Sequence, residues 1–296
     1  MSARVRWLGH SSATVDVTTA AGEVRVVTDP VLRSGLAHLR RRPPAPAATD
    51  AAGAHLALVS HLHHDHCDLP SLRSSRPDLV VAPPRSALWL AGRLRGGSRV
   101  VEVAVGATRA LSLNAAAGPV QVRVSALPAH HAGHRTAGWA EGAPADALAV
   151  QHLVRVPGAF PARAAAAGGP DLLLWAVGDT GEFDRWAAVL DVAGRAPDVA
   201  LVPVGGWGHT LGPHHLDPRQ AAALVARVRP AVSVPVHWGT LHPVALSRTM
   251  GDRFVEPGRR FVAEARRLGV AGAVQLPVGG TLELDDAGEP VAAPGR

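Results

Sequence analysis

The stretch "LVSHLHHDHCD", residues 58–68, places four histidines and an aspartate within six consecutive positions. The apolar residues at its start predict a strand that ends where the histidines begin. Just past a strand end, His61 and His63 can project to one side of the chain. Asp65 and His66 can open the first turn of a helix, so that all four side chains converge on a small volume. Imidazole and carboxylate ligands of this kind suit Zn²⁺, and also Fe or Mn.

Four ligands shared between two neighbouring metal ions leave each ion with an incomplete coordination shell. Further ligands must therefore come from elsewhere in the chain. Three later motifs can supply them: "PAHHAGHR" (128–135), Asp179 in "AVGDTGEF", and His237 in "VPVHWGT". Each follows an apolar strand, and open α/β sheets build their sites at the carboxyl ends of strands. A single histidine in such a setting is more often a buried core residue. Ligand-type residues that recur in one setting favour a metal site instead.

The rest of the chain predicts strands that alternate with helices. The first thirty residues indicate a meander of three short strands, and residues 33–53 predict a long surface loop that is a candidate rim of a substrate cleft. Further strands are predicted at 79–82, 99–105, 120–127, 147–155, 171–177, 199–204 and 232–236. Helices are predicted at 84–95, 182–193, 217–228 and 257–268. This order predicts a layered α/β architecture in a single domain, residues 1–296.

Composition narrows the class of protein. With 47% apolar residues, a chain of 296 residues can bury a sizeable core. A single cysteine, Cys67, excludes an internal disulfide and agrees with a reducing compartment. The first residues lack the apolar segment of a signal peptide, and we find no apolar run of about 18 residues that could span a bilayer. We therefore expect a soluble, cytoplasmic protein with no transmembrane segment.

The positive charge carries little functional information. The net charge is +6, yet the chain has no lysine, and this arginine usage together with abundant Ala, Gly and Pro indicates a bias towards GC-rich codons. Arginines cluster in "LRRRPP" (39–44) and in "GRRFVAEARR" (258–267). Both runs are short and lie in loop-like or amphipathic patterns, so a solvated surface is favoured over a polyanion site.

The order of the motifs resembles that of the metallo-β-lactamase fold hydrolases: H-x-H-x-D-H, a later histidine, "GDT" and a late "HWGT". "WLGHSS" (7–12), "TDP" (28–30), "PAHH", "LDPRQA" (216–221) and "PVHWGT" are similar to one branch of that family. The branch includes the L-ascorbate-6-phosphate lactonase-like proteins and N-acylphosphatidylethanolamine-hydrolysing phospholipase D. The resemblance extends from about residue 4 to residue 245. It implies a four-layer αββα sandwich with a dinuclear metal centre at one edge of the sheets.

Position by position, the resemblance implies seven metal ligands: His61, His63 and His131 on one ion, Asp65, His66 and His237 on the other, and Asp179 between them. "PAHH" offers two histidines, and His131 is preferred because the branch reads Pro-Ala-any-His. His10 and Asp29 are candidates for fixing the tautomers of the ligands, with a purely structural role as the alternative. The resemblance assigns no role to His130 or to the 33–53 loop. His209 and His214 match no fixed position of the branch.

The resemblance also implies the chemistry. Two ions about 3.5 to 4 Å apart share a water and lower its pKa, which gives a hydroxide nucleophile near neutral pH. Asp65 is expected to orient that water or accept its proton. His215 matches a histidine near the substrate and is expected to stabilise negative charge or to protonate the leaving group. The expected reaction is hydrolysis of a lactone, phosphodiester or related ester of a small molecule or lipid, with Zn²⁺ as the first choice and Mn²⁺ or Fe²⁺ as alternatives.

Three other functions are compatible with the fold. An RNA or DNA nuclease is the main alternative, because the tRNA 3′-processing enzymes share H-x-H-x-D-H. We find no insertion resembling their tRNA-binding arm, so nucleic acid is not the expected partner. Di-iron oxidoreductases of this fold typically carry Glu where this chain has His63, and they need a flavin domain. A non-catalytic metal-binding protein would not need the complete ligand set. The sequence predicts no oligomeric state.

Overall fold

The computed structural model describes residues 2–135, 137–208, 210–246 and 248–291. Within these ranges the strands are β1 (Ala3–Gly9), β2 (Ser12–Thr19), β3 (Gly22–Thr28), β4 (Gly35–Leu36), β5 (Leu39–Arg41), β6 (Leu56–Leu58), β7 (Leu79–Ala82), β8 (Arg99–Glu102), β9 (Thr108–Ala115), β10 (Gly118–Ala132), β11 (Leu148–Val156), β12 (Leu172–Ala176), β13 (Val199–Pro203), β14 (Val232–Val236), β15 (Leu241–Pro243) and β16 (Thr281–Leu284). The helices are α1 (Leu69–Ser75), α2 (Pro84–Ala91), α3 (Val189–Ala193), α4 (Pro218–Val228) and α5 (Glu256–Arg267). Short 3-10 helices lie at Ala48–Asp50, Gly138–Glu141, Ala165–Ala167, Val244–Leu246 and Gly251–Phe254. His209, to which no role is assigned, lies outside the described residues.

Two large sheets form the centre of the described structure. One has seven strands in the order β16-β1-β2-β3-β6-β7-β8, and the other has six in the order β14-β13-β12-β11-β10-β9. The antiparallel pairing of β1, β2 and β3 confirms the predicted meander. From β3 through β8 the first sheet is parallel, and so are β12, β13 and β14 of the second. The carboxyl ends of these parallel strands form the edge that carries the predicted metal ligands.

The first sheet buries both of its faces, because alternate side chains of a strand point to opposite sides. Val81 of β7 lies in the core between the sheets, together with Val122 of β10 and Leu153 of β11. Its neighbour Val80 lies in a separate core with Leu90 of α2. On the other side of the molecule, α4 and α5 contact each other, and α5 contacts β14. The layers are therefore helix, sheet, sheet and helix, which confirms the predicted αββα sandwich.

The start of α1 differs from the prediction. Asp65 and His66, expected to open a helix, lie in a turn, and the helix begins three residues later at Leu69. The reason is the N-cap: the side chain of Asp68 accepts a hydrogen bond from the backbone N–H of Ser71 at 3.1 Å. The turn leaves Asp65 and His66 free of helical geometry, so their side chains reach the same volume as the preceding histidines.

Other differences concern short elements. The predicted loop at 33–53 contains β4 and β5, and β5 pairs with β15 in a small third sheet. Strands of two or three residues carry too little alternation to be detected in a sequence. The helix predicted at 182–193 is formed only at Val189–Ala193. Strands β9 and β16 lie outside the predicted strands. Across the described residues, no helix combines the length and the apolar character needed to cross a membrane.

Candidate metal centre

The seven predicted ligands meet at one edge of the sandwich. The first four follow β6, His131 lies near the end of β10, and Asp179 and His237 follow β12 and β14. Their ligand atoms fall into overlapping groups in which all atoms lie within 4.8 Å of one another. The structure brings together side chains that are up to 176 positions apart in the chain, from His61 to His237. The described residues can therefore hold a metal ion at this edge.

One group consists of three imidazoles. His61 Nε2 lies 2.9 Å from His63 Nδ1, and His131 Nε2 lies 3.1 Å from the same atom. Nitrogens bound to one tetrahedral ion at 2.0 to 2.1 Å lie roughly 3.3 Å apart, so the three nitrogens already have nearly the spacing of a metal shell. His130 does not join them: its ring lies 4.7 Å from the ring of His214.

Hydrogen bonds on the far side of two rings fix which nitrogen is free. The carbonyl oxygen of His214 can only accept, so His131 donates from Nδ1 at 2.9 Å. The Ser60 hydroxyl donates to Asp29 Oδ2 at 2.7 Å, so Ser60 Oγ accepts from His61 Nδ1 at 3.0 Å. Both rings therefore present the lone pair of Nε2 to the centre of the group, as metal-binding histidines do.

Burial keeps these imidazoles neutral. It lowers the pKa of His63 and of His131 to about 4 and the pKa of His61 well below the usual value. The carboxylate of Asp179 opposes this shift without reversing it. At neutral pH all three rings carry free lone pairs, which is the protonation state that metal binding requires.

The second group combines a carboxylate with two imidazoles. Asp65 Oδ2 lies 3.9 Å from His66 Nε2 and 3.5 Å from His237 Nε2. His66 donates from Nδ1 to Asp29 Oδ2, and His237 donates from Nδ1 to the Gly205 carbonyl, both at 2.8 Å. Both Nε2 atoms are buried, and within the described residues neither has a hydrogen-bond partner. They are therefore aimed at the centre of this group.

Asp179 lies between the two groups. Its Oδ2 is 3.1 Å from His66 Nε2, 3.2 Å from His237 Nε2 and 3.9 Å from His131 Nε2. Its Oδ1 is buried and has no hydrogen-bond partner in the described part of the chain. An unpaired buried polar atom costs about 1 to 3 kcal/mol, and a cation satisfies several of them at once. These unpaired atoms fit a divalent metal.

Charge is concentrated in the second group. Burial opposes the cationic form of His66 and His237, but Asp179 and Asp65 outweigh it: they raise the pKa of His66 well above its usual value and that of His237 to about 9. Burial likewise opposes the ionised carboxyls, yet the neighbouring histidines hold the pKa of Asp65 and of Asp179 well below the usual range. Two buried carboxylates that stabilise protons on the neighbouring imidazoles also attract a metal cation, which would take the place of those protons.

Two residues outside the ligand set hold the ligands in place. His10 Nε2 lies 2.8 Å from Asp65 Oδ2. Asp29 accepts from Ser60 and from His66. His10, Asp29 and His237 have left-handed φ angles of 51°, 36° and 64°, which is uncommon outside glycine and clusters at functional sites. Ser60 was not predicted. Its signal in the sequence is a small polar residue between the strand and the first ligand.

A cavity of about 640 Å³ opens above the ligands. His63, Asp65, Asp179 and His237 line its floor, together with His215, whose Nε2 is 3.4 Å from Asp179 Oδ2. Its wall is mostly apolar and comes from three segments: Leu36, Ala37, His38 and Leu39; Trp207 and Leu211; and Pro243 and Leu246. The 33–53 segment therefore does contribute to the rim of a cleft.

The fold and this centre agree with a comparison to known families. Residues 24–238 match the beta-lactamase superfamily domain, which is well over half of the chain. The chain belongs to the beta-lactamase superfamily.

The chain is also similar to individual known proteins. The chain is 26% identical over 249 residues to N-acyl-phosphatidylethanolamine-hydrolyzing phospholipase D 1 of Caenorhabditis elegans, covering 79% of this chain but only 63% of that protein. It is 26% identical over 283 residues to a metal-dependent hydrolase of Symbiobacterium thermophilum, covering 95% of this chain and 100% of the relative. The fold is similar to that of a possible metal-dependent hydrolase from Veillonella parvula, with a TM-score of 0.63 at 15% identity over 95% of this chain and 98% of the other.

Proposed function

We propose that this chain is a hydrolase that holds two divalent metal ions and cleaves a lactone, phosphodiester or related ester of a small molecule or lipid. The observation that carries the proposal is the convergence of seven ligand-type side chains at one edge of the sandwich, four of which line the floor of a cavity. The names of two relatives, a metal-dependent hydrolase and a phospholipase D, support the same class of reaction.

The proposed ligands form two shells: His61, His63 and His131 in one, Asp65, His66 and His237 in the other, with Asp179 shared. When bound, the ions polarise the ester and lower the pKa of a coordinated water. Zn²⁺ is the proposed metal because imidazole nitrogens and carboxylates dominate the ligand set, and Mn²⁺ or Fe²⁺ are the alternatives.

Two residues are proposed to move protons. Asp65 is ionised, and its Oδ2 is held 2.8 Å from His10 Nε2, so it can orient the attacking water or accept its proton. His215 lines the cavity with 28% of its side chain exposed. Its imidazole can stabilise developing negative charge or protonate the leaving group.

The wall of the cavity supports a small or lipid-like substrate. Among the described residues that line it, none is an arginine, and Leu36, Trp207 and Leu246 provide apolar surface. A nuclease needs cationic side chains along the phosphate backbone. An apolar wall therefore favours an ester with a hydrocarbon portion over RNA or DNA. A cavity of this size next to the ligands also argues against a protein that only stores metal.

Two further proposals concern the whole chain. Residues 1–296 form one domain, because the core between the sheets joins Val5 near one end of the chain to Leu284 near the other. The cytoplasm is the proposed location, because the single cysteine, Cys67, is a buried free thiol.

Elemental analysis of the purified protein, followed by hydrolysis assays, tests the proposed function. With metal restored, bis(p-nitrophenyl) phosphate and dihydrocoumarin serve as the phosphodiester and lactone probes. We expect Asp65→Ala to abolish turnover of the accepted probe while circular dichroism stays unchanged. His130→Gln, at an exposed histidine outside the ligand groups, is the matched control and retains turnover. Unaltered turnover by the Asp65 variant would refute the mechanism.

A further inference from the structure

A second cavity lies far from the metal centre. Its volume is about 730 Å³, and it is formed by the end of α1, the turn before β7, the loop after α2 and part of β9. The metal ligands follow the carboxyl end of β6, whereas this cavity lies at the amino ends of β7 and β8, which run parallel to β6. The two cavities are therefore at opposite edges of the first sheet.

Positive charge dominates this second cavity, which we call the arginine groove. Five arginines line it: Arg73, Arg76, Arg93, Arg95 and Arg99. Asp78 is the one acidic residue among its described lining residues. Because these arginines come from α1, from the loop after α2 and from β8, the fold alone concentrates their charge.

Two of the five arginines are used to hold the groove together. Arg73 Nη2 donates to the carbonyl of Arg93 at 3.0 Å, which ties α1 to the loop after α2. The Arg93 guanidinium lies 4.2 Å from the ring centroid of Trp89 and donates to the carbonyls of Trp89 and Glu141. These contacts order the walls of the groove without neutralising its positive charge, because carbonyl oxygens and an aromatic ring carry no net charge.

The other three, Arg76, Arg95 and Arg99, are exposed, and within the described ranges they have neither a carboxylate partner nor a side-chain hydrogen bond. Some arginines elsewhere are paired with carboxylates: Arg25 lies 2.6 Å from Asp16, for example. A concave surface that gathers unpaired guanidinium groups differs from the two short arginine runs, 39–44 and 258–267, that the sequence predicts to be solvated surface. The charge is suited to an anionic ligand.

We propose that the arginine groove binds a small organic molecule that carries two or more phosphate groups. Guanidinium groups match phosphate oxygens in pairs, and Ser98, Ser112 and Asn114 add neutral hydrogen-bonding groups to the lining. The volume falls within the range of small-molecule sites, roughly 300 to 1,000 Å³. None of the described lining residues is aromatic, so the groove offers no stacking surface for the bases of a nucleic acid strand.

Isothermal titration calorimetry of the metal-loaded protein with fructose 1,6-bisphosphate tests this site. We expect saturable binding of one molecule per chain, and no binding of unphosphorylated fructose. The triple variant Arg76→Gln, Arg95→Gln, Arg99→Gln is expected to weaken binding by at least about tenfold, because each charge-assisted hydrogen bond contributes to affinity. Its turnover of the ester probes stays within about twofold of the wild type, because the groove lies across the sheet from the metal centre.

A second triple variant provides the matched control. Arg259, Arg260 and Arg266 on α5 are exposed, and replacing all three by Gln removes the same charge at a different surface. We expect this variant to bind the bisphosphate with the affinity of the wild type. An equal loss in both triple variants, or the absence of saturable binding, would overturn the proposal. Displacement of the bisphosphate by a lower concentration of single-stranded RNA would also overturn it, in favour of a nucleic acid site.

Discussion

The floor and the wall of the cavity at the metal centre are built in different ways. On the floor and directly beneath it, buried side chains are held by hydrogen bonds: His66 by Asp29, and His237 by the Gly205 carbonyl. The wall consists of loop residues with apolar contacts, such as the Trp207 ring, which lies 5.3 Å from the His38 ring. A network of buried hydrogen bonds tolerates little change, whereas apolar loops can change one residue at a time. We therefore propose that the floor sets the chemistry and that the wall sets which ester is accepted.

Removing the carboxylate shared by both ligand groups should have the largest effect. Asp179→Ala is expected to lower turnover by at least about 10³-fold, because both proposed metal shells lose a ligand. Metal content per chain, measured by mass spectrometry of the metals, should fall in parallel. Asp184→Ala, at an exposed acidic residue in the same loop region, is the control. Full metal content in the Asp179 variant would contradict its proposed position between two ions.

A residue that only supports a ligand should have a smaller effect. Asp29→Asn keeps the size of the side chain but weakens the hydrogen bond that orients His66, and it is expected to reduce metal affinity by about 10- to 100-fold. Competition with a chelator of known affinity measures this change, and excess metal should restore most of the turnover. Asp191→Asn on the exposed side of α3 serves as the control. Unchanged metal affinity would mean that Asp29 has only a structural role.

The floor should also make the metal-free protein sensitive to acid. Burial lowers the pKa of His63 and His131 to about 4, below the value near 6.5 that histidine has in an unfolded chain. In this range the unfolded state binds more protons than the folded state. The contribution of these two neutral histidines to the free energy of unfolding should therefore be fully present above about pH 6.5. It should be lost as the pH drops towards 4. His66 and His237 have raised pKa values, so they oppose this trend near pH 6.5, where only the folded state keeps their protons. Well below pH 6.5 they are protonated in both states and no longer oppose it.

Urea unfolding of metal-free protein between pH 4 and pH 7 measures this dependence. His131→Gln should flatten the pH dependence, because one of the buried neutral histidines is removed. Trp207→Ala, in the wall, should leave the slope unchanged. If the wall variant flattened it as much as the floor variant, the acid sensitivity would not arise from the ligands.

Changing the wall should have the smallest effect on chemistry. Trp207→Ala removes apolar surface from the cavity and is expected to raise KM for an ester with a large apolar group by about 5- to 10-fold, with kcat within about twofold. Steady-state kinetics with a long-chain and a short-chain ester separate the two parameters. Trp207→Phe keeps an aromatic ring and should retain most of the affinity. A loss in kcat with unchanged KM would mean that Trp207 contributes to the chemical step and not to binding of the apolar group.

The sequence predicted the parts of the fold that are buried and apolar. Strands β7 and β14 have the predicted bounds, 79–82 and 232–236, because every residue of both strands is buried. Strand β9 was missed because most of its residues are exposed, so apolar alternation is restricted to Leu111 and Leu113. The start of α1 was placed too early because the Asp68 cap is visible only once the preceding turn is known.

The ligand candidates were predicted for a similar reason: their residue types carry the chemistry themselves. The roles of His10 and Asp29 were left open because a supporting hydrogen bond depends on distances that no spacing in the sequence reveals. The Gly205 carbonyl could not be predicted at all, since any residue offers a carbonyl oxygen. The arginine groove escaped prediction because its arginines belong to separate segments that only the fold brings together.

The number of metal ions that turnover requires tests the central proposal most directly. Metal-stripped protein is titrated with Zn²⁺, and turnover of the accepted ester probe is measured against the number of ions bound per chain. We expect turnover to stay low until the second ion binds and to reach a plateau at two ions per chain. A plateau at one ion, or two bound ions with no hydrolysis of any lactone or phosphodiester, would contradict it.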